Sequence, residues 1–303
     1  MAAIITSKFR LNNAEQFTES FSESAPTAYY LFIGRSSTWQ TDVDVQGNSI
    51  VEGTDSTPPT PNDDVVSEFY NYDEMIGLKK VASSDVSQVI PKRTWTTGTT
   101  YDMYEHNVSA SNAAASGATN LFDAAFYVIN SSNNVYKCIE NDGATASTSE
   151  PTSTSTSIFS TADGYRWKYM YSLSTTQVTN FVSTDFMPVS TNSTVSSAAV
   201  DGALDTVLIA AGGSSYDVSG GATAGTITAV PIRGDGSGGV ASVTLSSGTV
   251  SAVTITTAGT GYTYAYIRNA DLIAATNAGG NGSGANLNVI IPPKGGHGKD
   301  AVK

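Results

Sequence analysis

Residues 162–173 read ADGYRWKYMYSL, and the stretch before them, TASTSEPTSTSTSIFST, is almost entirely small and polar. Tyr165, Trp167, Tyr169, Met170 and Tyr171 crowd into seven positions, with Arg166 and Lys168 between them. Either this is an exposed aromatic–basic strip that stacks a sugar or a base, or it is a strand that builds a core. Strand side chains alternate between two faces. Alternation puts Tyr165, Trp167, Tyr169 and Tyr171 on one face and Arg166, Lys168, Met170 and Ser172 on the other. Four aromatics on one face each bring a large area to bury. The stretch therefore reads as a core strand, with Arg166 and Lys168 directed at a neighbouring element or subunit.

The bulk composition agrees with a β reading. Charged residues are 14% of the 303, well below the roughly 25% of an ordinary soluble domain. Gly, Ser, Thr, Ala and Asn take their place, and these favour turns and short strands over long helices. The net charge of −12 and the scattered cations exclude the basic footprint that nucleic acid requires, and an anionic membrane surface for the same reason. The single cysteine, Cys138, lies in the strand-like NNVYKCIEN and reads as a small buried hydrophobe. The N-terminus MAAIITSKFR shows no secretory pattern. No apolar run approaches the ~18 residues of a membrane span.

Outward from 162–173, AAFYVINSSNNVYKCI predicts a β-hairpin turned at NSSNN. AYYLFIGRS predicts a strand, as does IITSKF near the N-terminus. Three segments read as helical. NNAEQFTESF puts Phe17 and Phe21 on one face. DDVVSEFYNYDEMIG ends at Gly77, and SSDVSQVIP holds a turn or two before Pro91. Residues 205–218 (DTVLIAAGGSSYDV) align with 251–264 (SAVTITTAGTGYTY), matching Val207 to Val253, Ile209 to Ile255, Gly213 to Gly259 and Tyr216 to Tyr262. Such a period marks a supersecondary unit whose copies pack on one another. The expected organisation is a β-rich core domain over 1–203 with short helices, a Gly-rich β-repeat module over 204–291, and a C-terminal segment, 292–303. The fold class is mainly β: a multi-domain, β-sandwich-like core plus the repeated module.

Motifs that invite chemistry fail on their context. GDGSGG (234–239) has the dinucleotide-loop spacing, but VASVTL, a strand, follows where a helix is required. GGHGK (295–299) lacks the Ser/Thr of a phosphate loop. The only histidines are His106 and His297, too few for a zinc site, and no serine-nucleophile elbow accompanies them. The acidic pairs Asp42/Asp44, Asp63/Asp64 and Asp73/Glu74 are explained by loop solvation and helix capping. No catalytic residue, metal or cofactor is expected, and the chain reads as a non-enzyme.

IITSKFR, YYLFIGRSSTW, VIPKRTW, VYKCI and DGYRWKYMYSL, in this order, resemble baseplate wedge subunit number eight of T-even-type contractile-tailed phages, in particular variants from phages of cyanobacteria. The likeness covers roughly 1–190, with a fainter match at IIPPKGGHG. The Gly-rich repeat departs from the T-even form, and the return of IIPPKGGHG after it favours an inserted module. The resemblance implies a mostly β, multi-domain, non-catalytic dimer. Its copies sit in the six wedges around the tail hub and tie neighbouring wedge proteins together. It also implies a virion location and synthesis in the host cytoplasm. Arg35, Trp39, Arg93, Trp95, Tyr101 and Tyr104 are then candidate partner-interface residues, against a structural role in which the arginines meet acidic loops and the tryptophans anchor their own. The alternative function is a receptor- or glycan-binding module in which Tyr216 and Tyr262 stack a sugar. Against it stands the reading that each tyrosine closes the end of a β unit.

Overall fold

The computed structural model describes residues 7–34, 41–43, 45–51, 53, 57 and 75–302. The protein is mainly β, with several antiparallel sheets and four α-helices among the described residues. It separates into two compact units, Met1–Gln88 and Val89–Lys303.

In the first unit, helix α1 spans Ser7–Glu19. It contains most of the expected helix and also residues 7–9, the end of the run read as a strand. Lys8, Arg10 and Leu11 are good helix formers and no β-branched run opposes them; residues 4–6 lie outside the described residues. Phe17 and Phe21 both meet Tyr29, with ring centroids 5.1 and 4.6 Å away. Tyr29 opens strand β1 (Tyr29–Gly34). The short strands β2 (Thr41–Val43) and β3 (Ser49–Val51) pair with each other, and β1 pairs antiparallel with β4 (Met75–Val81). The helix expected over 63–77 lies outside the described residues up to 74. Residues 75–77 are strand, because Met75 and Gly77 find ladder partners in Gly34 and Ile33. A single 3-10 turn at Ser83–Asp85 is all the helix in SSDVSQVIP.

The second unit begins with β5 (Val89–Pro91). Pro91 biases the residue before it toward extended backbone, so the second half of that run is strand. The predicted hairpin is present as β6 (Tyr127–Ile129) and β7 (Asn134–Glu140). Asn133 turns it at a φ of 59°, a conformation asparagine tolerates better than most residues. With β8 (Phe159–Ser160) and β9 (Arg166–Ser172) they form an antiparallel sheet in the order β6-β7-β9-β8. Tyr165, Trp167 and Tyr169 are buried with Tyr136, Cys138 and Val128 in one cluster. The Trp167 ring stacks on Tyr165 at 5.4 Å and meets Tyr101 edge-on at 6.0 Å. The opening stretch is a core strand.

Two details differ from strict alternation. Val135 faces Tyr171 and Tyr136 faces Tyr169, so Met170 is an extra residue at a β-bulge. The bulge sends Tyr171 to a second cluster with Met170, Val135, Ile129, Leu173 and Met187. Lys168 and Met170 are also buried, so apolar material covers both faces of this sheet. Helix α2 (Thr175–Phe181), capped by Ser174, and β10 (Phe186–Pro188), paired with β5, supply part of the second cover. Helix α3 (Ser193–Ala198) follows.

Carboxylates tie the long loops down. Asp102, 1% exposed, accepts from Ser116 N at 2.7 Å, Ser116 Oγ at 2.6 Å and Ala125 N at 2.6 Å. Asp163 accepts from Thr161 Oγ1, Ser149 N, Ser147 Oγ and Thr148 N. Burial opposes the Asp163 charge, but these hydrogen bonds outweigh it and hold its pKa at about 2.

Residues 204–291 form strands β11 (Val207–Ser214), β12 (Gly225–Pro231), β13 (Arg233–Gly234), β14 (Val240–Ser246), β15 (Thr249–Thr257) and β16 (Ala265–Tyr266), then α4 (Asn269–Ile273) and β17 (Ser283–Val289). Val207 pairs with Val289, and Val253, its counterpart, pairs with Val243. Both ladders slip by one residue at matching places, after Ile209 and after Ile255. Gly213 and Gly259 each sit at a φ of +64°, where a Cβ would lie 2.7 Å from Tyr216 and 2.8 Å from Tyr262 respectively. Only glycine allows both that conformation and that approach. Two apolar clusters, one around Leu204, Ile232 and Tyr262 and one around Tyr216, Ile227 and Leu272, draw all their members from 204–291.

Val207 and Val289 are cross-strand partners, so the ends of 204–291 run side by side and a short Gly/Ser linker spans them. A chain with 204–291 replaced by such a linker is expected to stay soluble, with its near-UV signal retained. A molten product, with exposed apolar surface and lost near-UV signal, would show that these residues share one core with the rest.

Candidate assembly surface

The residues singled out from the sequence fare differently. Arg35 and Trp39 lie outside the described residues. Arg93 is half-buried and donates from Nη2 to the backbone oxygen of Asp123 at 3.3 Å, a carbonyl rather than an acidic side chain. Trp95 is half-buried against the sheet core and donates from Nε1 to Ser147 Oγ at 3.0 Å. Tyr101 and Tyr104 lie in loop, as expected, yet are only 3% and 6% exposed. Their loop folds back over the sheet: Tyr104 N bonds to Cys138 O, and Asn141 Nδ2 donates to Tyr101 O at 3.0 Å. Their rings build this chain's own core and offer a partner no face.

Tyr216 and Tyr262 are 0% and 3% exposed. Tyr216 Oη donates to Asn269 Oδ1 at 2.6 Å and accepts from Ala285 N at 3.2 Å. Tyr262 Oη donates to Ile232 O at 3.0 Å and accepts from Gly239 N at 3.1 Å. Both rings are enclosed, so neither presents a stacking surface.

The ribbon of β1 and β4 presents the opposite picture. Tyr30, Leu31, Phe32 and Ile33 on β1 are 57%, 64%, 42% and 63% exposed, and Ile76 and Leu78 on β4 are 59% and 56% exposed. Successive strand residues point to opposite faces, so both faces of this two-stranded ribbon are apolar and open. Among the described residues, β1 and β4 pair only with each other, which leaves an unpaired edge on each. At its far end Lys79 Nζ donates to Asp85 Oδ1 at 2.7 Å. That bond and one from Ala82 N hold the Asp85 carboxyl below its usual range. A single-strand reading of YYLFIG identifies the strand but not its exposure, because an apolar run is equally the mark of a buried strand.

Among the described residues no group of three or more His, Cys, Asp or Glu is placed to hold a metal ion, and no helix is long and apolar enough to cross a membrane. Cys138 is buried, and burial pushes its thiol up, away from the reactive thiolate. Among the described residues the chain is thus a set of small antiparallel sheets with aromatic cores and an exposed apolar ribbon.

The family model described as Phage-Gp8, Bacteriophage T4, Gp8 matches residues 3–149. The match supports a baseplate wedge subunit, a structural component of the phage tail baseplate. It takes in the ribbon and the sheet core as far as β7 and ends before β9 and the Gly-rich repeat. No curated protein matches the chain.

Proposed function

We propose that the protein is a non-enzymatic link between neighbouring wedge proteins of a phage tail baseplate. It is made in the host cytoplasm, carries no cofactor, binds neither nucleic acid nor membrane, and is present as a homodimer in each wedge. The observation that carries the linking role is the ribbon of β1 and β4. Monomeric proteins seldom leave contiguous apolar surface of this kind open, and unpaired strand edges recruit strands from other chains. A stable contact of this type buries at least about 1,200 Å² in total.

The test is co-elution of the purified chain with the other wedge proteins at micromolar concentration, comparing wild type with a Leu31→Glu/Ile33→Glu double variant. Both positions are exposed, so the variant is expected to fold and melt as wild type yet lose co-elution. A variant that still co-elutes would remove the ribbon from the interface. A map of the intact tail is expected to show the chain in multiples of six within the wedge ring. Density at the fibre tips instead would replace assembly with receptor binding as the role.

A further inference from the structure

Charged side chains converge where β7, β9, the residues leading into β11 and the C-terminal segment meet. Lys137 on β7 is 3% exposed, with Nζ 3.7 Å from the centre of the Tyr104 ring. Lys168 on β9 is 5% exposed and donates from Nζ to Thr156 O. Arg166 Nη1 donates to Glu140 Oε2 at 3.0 Å and to Asp205 O at 2.8 Å. His297 is 7% exposed, and its Nε2 stands 3.9 Å from Asp205 Oδ2. Its Nδ1 is buried with no hydrogen-bond partner among the described residues. Lys168, Asp205 and His297 line a cavity of about 260 Å³, together with Thr156, Ser157 and Ala199. A water takes about 30 Å³ of liquid volume, so the space exceeds what one or two waters fill.

The charges do not balance. Glu140 answers Arg166, which leaves two buried ammonium groups sharing one carboxylate, Asp205. An uncompensated buried charge is costly and drives the group toward its neutral form. Burial lowers the Lys137 pKa to about 7 against the pull of Asp205, and it lowers that of Lys168 against the same carboxylate. Burial raises Asp205 to about 6 although Arg166, Lys168 and Lys137 oppose it. His297 is pushed down by burial, then by Lys137 and Lys168.

We infer that this cavity is a binding site for a small oxyanion of the phosphate or carboxylate type, held by Lys168, with Lys137, which is outside the lining, adding positive charge to its surroundings. The anion supplies the missing negative charge, and charge-assisted hydrogen bonds of this kind are among the stronger ones. Binding tightens as the pH falls. Lys137 regains its proton through about 7, and Asp205 loses its charge through about 6, so both changes make the cavity more positive.

The test is calorimetric titration of the full chain with inorganic phosphate and, separately, with malonate, at constant ionic strength and with sodium chloride as control. The pH is set at about 6 and at about 8, either side of these two titrations. The malonate arm stands for a carboxylate from a partner protein, the phosphate arm for a free ion. The expected result is saturable binding of at least one of them, about tenfold weaker at the higher pH. It should be lost in Lys168→Gln, and also in Ala199→Leu, which fills the cavity without changing charge. Heats equal to the chloride control for both ions, affinity independent of pH in the wild type, or unchanged affinity in a folded Ala199→Leu variant would each overturn the inference.

Discussion

Trp167→Ala is expected to lower stability by about 3–5 kcal/mol, the range for a buried aromatic truncated to alanine. Trp167 is 0% exposed near the start of β9, stacked on Tyr165 and edge-on to Tyr101. The surrounding rings come from the sheet and from the loop over it, so their collapse into the space is limited. Trp167→Phe is a sharper companion. The indole Nε1 is buried without a hydrogen-bond partner among the described residues, so phenylalanine sheds an unsatisfied donor while keeping most of the ring area. It is expected to cost well under half as much. Denaturant unfolding monitored by far-UV circular dichroism reads both. An alanine variant of wild-type stability that only loses a partner would show that the aromatic face serves an interface and not the core.

Tyr216→Ala is expected to cost a similar amount, about 3–5 kcal/mol, but to cost it locally. Tyr216 is fully buried, and its ring fills the space left by Gly213 and Gly282, where added Cβ atoms would lie 2.7 and 2.2 Å from it. Its hydroxyl also holds Asn269 and Ala285. The three tryptophans, Trp39, Trp95 and Trp167, all lie outside 204–291. Tryptophan fluorescence therefore reports the rest of the chain, while hydrogen exchange along β11 and β17 reports the repeat. If 204–291 holds its own core, exchange accelerates there and the fluorescence transition stays in place. If both move together, the two parts unfold as one cooperative unit.

Much of the fold was legible because it is local. Aromatic residues two apart in 165–169 mark a buried strand face. NSSNN between two β runs marks a hairpin. The β runs at 207–214 and 249–257 mark strands, and their ladders each slip by one residue, after Ile209 and after Ile255. Each of these signals is carried by spacing along a few residues, which backbone geometry translates directly into direction. The failures had two causes, a non-local partner in one case and a misread local propensity in the other. Residues 75–77 became strand because β1 supplied a ladder, and residues 7–9 joined a helix that their own propensities allow.

What the sequence by itself determined is the class: mainly β, short elements and an aromatic core strand. Only the tertiary structure decided which face each aromatic serves. One extra residue, Met170, reverses the alternation and moves Tyr171 to the opposite cluster. A loop that returns across the sheet buries Tyr101 and Tyr104, whereas Leu31 and Ile33 stay exposed although their run is just as apolar. The charged cavity was equally invisible, since Lys137, Lys168, Asp205 and His297 are brought together from four distant segments. Burial and net local charge belong to the set of neighbours in space, and one-dimensional spacing carries no information about them once the chain turns back on itself.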